Sequence, residues 1–186
     1  MFIETEGTPN PATLKFLPGR YVMEAGTADF AGPSSAERSP LALALFDLQG
    51  VARVFLGNDF ITVTKIDEID WASLKPQVLA TIMEHFVSGR PVLEGAVDEL
   101  DEEDVDPADQ EIVDQIKELL DTRVRPAVAG DGGDIVFRGY REGIVRLYMQ
   151  GACSGCPSSS ATLKHGIENM LRHFVPEVVA VEQVEF

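Results

Sequence analysis

Between Glu99 and Asp106, six of eight side chains are carboxylates, and no basic residue falls between Pro91 and Ala108. Self-repulsion of that density opposes compaction, and the segment has no apolar face to offset it. A chain interrupted this way cannot bury one continuous core. It is expected to fold as two small units, residues 1–90 and 109–186, joined by a solvated acidic linker over 91–108. The linker carries half of the net charge of −16. That balance opposes nucleic acid and anionic membrane surfaces as partners. No stretch approaches the roughly 18 consecutive apolar residues of a membrane helix. The start, MFIETEGTPNP, has the pattern of neither a secretory signal nor a transit peptide. The expectation is a soluble protein of the bacterial cytoplasm, with the mitochondrial matrix as the alternative for a mature form.

Each unit reads as α+β, a short and mostly antiparallel sheet packed with helices. In the first, the run around Leu14 and RVFLGNDFITVTKI read as strands, with a hairpin at Asn58-Asp59. Ser39 is a helix cap, Pro40 a first helical residue and Gly50 a terminator. From Trp71 to Phe86, Leu74, Val78, Leu79, Ile82, Met83 and Phe86 recur at helical spacing. Pro76 is tolerated only near that helix's start. Trp71 and Phe86 could form an exposed patch, but their spacing makes them core. In the second unit, Asp106-Pro107 opens a helix with its stripe at Ile112, Val113, Ile116, Leu119, Leu120 and Val124, and PAVAGDGGD breaks it. Two β-rich runs joined at YREG, a helix from about Pro157 to Phe174 and a strand in EVVAVEQV follow. Each core lies near the lower size limit for an unaided domain.

The chain's two cysteines, Cys153 and Cys156, stand together in GACSGCPSSS. Two cysteines do not make a disulfide scaffold. The loop ends a strand and opens a helix: Pro157 suits a first helical position, and Ser158, Ser159 and Ser160 offer caps. A helix start favours negative charge and lowers a cysteine's pKa. Gly151 and Gly155 let the backbone turn tightly and approach a bulky group. Three chemistries fit, besides an ordinary surface loop. One is thiol–disulfide exchange of the thioredoxin type, using Cys153 and Cys156. A second is zinc, which needs two further ligands. His85 is in the other unit, and His165 and His173 read as surface residues. The third is an iron–sulfur cluster held by four thiolates, two from each of two chains. No Ser/His/Asp constellation, phosphate loop or rigid carboxylate pair points to an enzyme.

DGGDIVF, LYMQGACSGCPSSSATLKHGIENML and VPEVVAVEQV resemble the C-terminal domain of NifU-like (Nfu-type) iron–sulfur cluster scaffold and carrier proteins. TPNPATLKFLPG, VFLGNDFITVTK and HFVSG resemble the Nfu N-terminal domain. The resemblance implies that Cys153 and Cys156 ligate a [4Fe-4S] cluster shared across a homodimer. It implies receipt of clusters from an upstream assembly scaffold and transfer to apo-protein clients. Asp131, Gly132, Gly133 and Asp134 match the family's Asp-Gly-Gly-Asp element, whose expected role is structural. The first unit, lacking cysteine, is expected to dock clients.

Overall fold

The computed structural model of the chain describes residues 1–95, 105–154 and 157–185, the last from residue 160 onward for side chains. Two compact units divide it, residues 1–98 and 99–186. Both are α+β, as their sequences suggest. No described helix is long and apolar enough to cross a membrane.

The first unit is a five-stranded antiparallel sheet with two helices. Its strands are β1 (Glu4–Gly7), β2 (Thr13–Leu17), β3 (Ala28–Phe30), β4 (Val51–Leu56) and β5 (Ile61–Lys65), in the order β1-β2-β5-β4-β3. The hairpin at Asn58-Asp59 joins β4 to β5, closed by Gly57 N–H donating to the Phe60 carbonyl at 2.9 Å. Helix α1 (Pro40–Phe46) begins where Ser39 caps it, its hydroxyl oxygen accepting from Ala42 N–H at 3.1 Å. It stops before Gly50, the expected terminator. Gly50 instead turns the chain into β4 at φ 106°, and a Cβ there would stand 2.8 Å from Ile69.

Helix α2 (Trp71–Ser88) runs to Gly89, a left-handed C-cap. It buries Leu74, Val78 and Ile82 against Phe16, Leu41 and Leu56. Met83, expected on that face, is exposed, as is Val87. Trp71 and Phe86 pack partly buried on the core. The chain beyond residue 90, read from sequence as linker, continues on this unit as far as Glu94. The Ser39 hydroxyl donates to the Val92 carbonyl at 2.7 Å, and Glu94 N–H donates to the Arg38 carbonyl at 2.6 Å.

In the second unit, Asp106 caps a short 3-10 turn, accepting from Ala108 N–H at 2.9 Å, and helix α3 (Gln110–Leu119) follows. The break expected at PAVAGDGGD comes late in that stretch: the helical run passes Pro126 and ends at Gly130. One wide π turn (Leu120–Val124) carries the chain into α4 (Arg125–Gly130). Pro126 sits in the first turn of α4, where a missing N–H costs little. Val113, Ile116, Leu120, Val124 and Val128 are buried along the way. Strands β6 (Gly133–Arg141) and β7 (Ile144–Gly151) form a hairpin turning at Glu142-Gly143, both at positive φ (51° and 82°), as a two-residue turn requires. Helix α5 (Pro157–Phe174) then carries the chain back to β8 (Ala180–Val184), which lies parallel to β7. Parallel neighbours need such a crossover. The cysteine loop is therefore the junction between the C-terminal end of β7 and the start of α5.

His85, near the end of α2, is buried, and among the described residues its Nε2 has no hydrogen-bond partner. Burial, then the charge of Arg90, holds the imidazole below its ordinary value of 6.5; a backbone hydrogen bond at Arg90 works the other way. Below pH 6.5 the folded unit thus binds fewer protons here than the unfolded chain, so its stability rises with pH through that window and is lost on acidification. Trp71 is the chain's single tryptophan and reports this unit. Its fluorescence midpoint in urea is expected to fall from about pH 7.5 to about pH 5.5, and His85→Leu to flatten that fall.

Candidate metal centre

The loop after β7 begins with Gly151 in the left-handed region, at φ 67°. Ser154 closes a turn around Ala152 and Cys153: its N–H donates to the Gly151 carbonyl at 3.1 Å and its hydroxyl donates to the same oxygen at 3.0 Å. From the first turn of α5, the Ser160 hydroxyl donates to the Cys153 carbonyl at 2.8 Å. Gly151 thus serves the turn anticipated for it, and Ser160 ties helix to loop. Gly155 and Cys156, and the side chains of Pro157, Ser158 and Ser159, lie outside the described residues.

The Asp131–Asp134 element holds the loop from the other side. Gly132, at φ 83°, accepts from Ala152 N–H at 3.1 Å. Gly133 pairs with Gly151 across the hairpin. A Cβ on Gly133 would stand 2.6 Å from the Gln150 carbonyl oxygen and 2.7 Å from Cys153 Sγ. The sulfur therefore occupies the space that a side chain would take. Asp134, also buried, accepts Ile135 N–H on Oδ1 at 2.8 Å. Arg125 grips the same carboxylate with both ends of its fork, Nε to Oδ1 at 2.9 Å and Nη2 to Oδ2 at 2.8 Å.

This arrangement reverses one expectation. The helix start should lower a cysteine's pKa, yet the Cys153 thiol is pushed up to about 12. Burial is the main cause, followed by the negative charges of Asp131 and Asp134. The thiol sits at 7% exposure against Gly133, several residues before α5 begins, so desolvation outweighs the helix. Metal-free, Cys153 is a neutral thiol at neutral pH.

Among the described residues, no three His, Cys, Asp or Glu side chains converge to hold a metal ion. His165 and His173 are exposed on α5, and His85 is buried in the first unit. Sequence reasoning assigned Asp134 a local backbone role, which it has; the Arg125 pairing it did not see. The partners lie nine residues apart, at opposite ends of α4 and the turn at Asp131-Gly132, a spacing with no simple sequence signature.

Residues 3–89 match the family model described as scaffold protein Nfu/NifU N terminal, and residues 116–182 match the NifU-like domain. The human NFU1 iron-sulfur cluster scaffold homolog, mitochondrial, is 54% identical over 187 residues, covering 99% of this chain and 72% of that protein. This chain belongs to the Nfu family of scaffold proteins. The Arabidopsis thaliana NifU-like protein 4, mitochondrial, is likewise 54% identical, over 98% of this Nfu chain, which spans 66% of that relative's length. The solution structure of a NifU-like protein from Saccharomyces cerevisiae overlaps 52% of the Nfu chain and 87% of its own, at 25% identity and a TM-score of 0.47. The human and Arabidopsis relatives are mitochondrial by name and lend the expected bacterial cytoplasm no support.

Gly133→Ala is expected to lower the stability of the second unit by about 1–3 kcal/mol, because its Cβ meets a carbonyl and a sulfur that cannot both yield. Gly130→Ala, with open space around it, is the matched control and should be neutral. The check is urea unfolding by circular dichroism, with the Trp71 signal unmoved.

Proposed function

We propose that this chain is an iron–sulfur cluster scaffold and carrier that binds a [4Fe-4S] cluster between two protomers and passes it to apo-proteins. The supporting observation is the thiol of Cys153, seated without a side chain between it and Gly133 in a loop that provides only one other cysteine. Two thiolates per chain, Cys153 and Cys156, are half of the set a cluster needs. A homodimer joined at this loop supplies all four. In this reading the cluster is cargo, received from an upstream assembly scaffold and delivered to client proteins without catalytic turnover. The first unit docks clients, and the acidic segment sets its reach. The names of the relatives favour a mitochondrial location.

Thiol–disulfide exchange through Cys153 and Cys156 is the rival, and it is the weaker one. An attacking thiol works best with a pKa near ambient pH, whereas burial and two carboxylates hold Cys153 far above it. A metal ligand can tolerate this, because bonding to iron displaces the proton.

Anaerobic reconstitution with iron and sulfide is expected to give a brown dimer with broad absorption around 400 nm and about four irons per two chains. Cys153→Ser and Cys156→Ser should each abolish it, since either change removes two of four ligands. A colourless wild-type protein that turns over disulfide substrates would sink the carrier reading.

A further inference from the structure

We infer that Arg125 is a positioning residue for the cargo, acting through Asp134 to make a buried carboxylate beside Cys153 compatible with an anionic cluster. This rests on the carrier reading above. Asp134 follows directly on Gly133, whose Cβ would stand 2.7 Å from Cys153 Sγ, and Asp131 precedes it by two residues. They differ in surroundings. Asp131 is exposed, so water and salt screen it. Asp134 is 5% exposed, and its field crosses protein instead.

Thiolates and an anionic cluster add negative charge at the place where Asp134 already supplies some. A buried charge is costly unless a partner of opposite sign compensates it. Arg125 provides that partner with two parallel charge-assisted bonds, the geometry in which guanidinium and carboxylate interact best. Its third contact, Nη1 donating to Asp121 at 3.1 Å, steadies the fork from the π turn. The π turn (Leu120–Val124) supplies the placement. A π turn adds one residue relative to an uninterrupted α-helix, so every residue after it is rotated, and Arg125 is the first of these. Wide turns of this kind recur at functional sites, and here the turn aims a cation at the carboxylate bordering the cysteine loop.

The experiment compares four full-length chains: wild type, Arg125→Gln, Asp134→Asn, and both together. One readout is the anaerobic half-time of cluster loss to an iron chelator. The other is hydrogen exchange at Ala152 N–H in the metal-free chains, which reports the turn independently of cargo. Arg125→Gln should lose its cluster about tenfold faster, and the double variant should return to within about threefold of wild type, because removing the charge removes the need for its partner. Asp134→Asn alone should hold cluster at least as long as wild type. Ala152 protection should stay level across all four.

A double variant that loses cluster as fast as Arg125→Gln overturns the inference, as does an Arg125→Gln chain that matches wild type. So does Ala152 protection that drops in Arg125→Gln without recovering in the double variant, which would make the pair a fold element only. Should Arg125→Gln fail to fold, retention by the double variant decides by the same threshold. A wild-type chain that holds no cluster fails the carrier reading itself and is separately visible.

Discussion

The second unit is organised around a gap one side chain wide. Gly133 lies so close to Cys153 that no Cβ fits between backbone and sulfur. That close approach fixes the rest. It requires β6 to start in register opposite the end of β7, Gly133 against Gly151. It requires the preceding residue to reverse the chain at positive φ, which Gly132 does. It also places Asp134, the next residue, inside the fold beside a thiol. A buried carboxylate there demands a cation, and the helical segment before the turn delivers Arg125.

Helix and loop connectivity follow from the same geometry. Because β8 lies parallel to β7, the chain must cross over between them, and α5 is that crossover. The loop at the C-terminal end of β7 is therefore forced to open a helix. Glu168 on α5 accepts from Val181 N–H of β8 at 3.1 Å, holding helix to strand at the far side of the crossover. The first unit contains no cysteine and meets different constraints. Its sheet is wholly antiparallel, with short edge strands, and β1 carries two glutamates over four residues. Charge on an edge strand discourages pairing with other chains.

The parts of this fold that were legible in the sequence are those encoded by strong local chemistry. Ser39-Pro40 announced α1, Asn58-Asp59 its hairpin, and the Leu74–Val78–Ile82 spacing the buried face of α2. The strands β1 and β3 were not legible, because ETEG and ADF have neither length nor apolar alternation. Continuation of the helix beyond Val124 into α4 was hidden by Pro126, which reads as a breaker until a π turn places it in the first turn of the next segment. At the site, the spacing of Cys153 and Cys156 narrowed the chemistry to thiol exchange, zinc or an iron–sulfur cluster, and Gly151 marked the turn. The depth of Cys153 was not legible. A loop at a helix start suggests an exposed, acidic thiol. Burial and a charge pair formed across nine residues reverse that, and both are products of tertiary packing.

The proposed function also explains why so small a domain suffices. A resident cofactor would need a complete ligand shell, and hence a core large enough to enclose it. A carrier needs only to offer half a shell and to give it up. On the proposed reading, two thiolates from each of two protomers would bind a cluster only while the protomers stay together, so retention would depend on protein concentration as well as on ligand strength. The raised thiol pKa works in the same direction. Each Cys153 that binds iron must release a proton that the empty site holds firmly, so part of the binding energy is spent on loading and is recovered on release. Such a site binds its cargo less tightly than its ligands alone would allow. That is a disadvantage for a permanent cofactor and what a delivery protein needs when a client with a complete shell competes for the cluster.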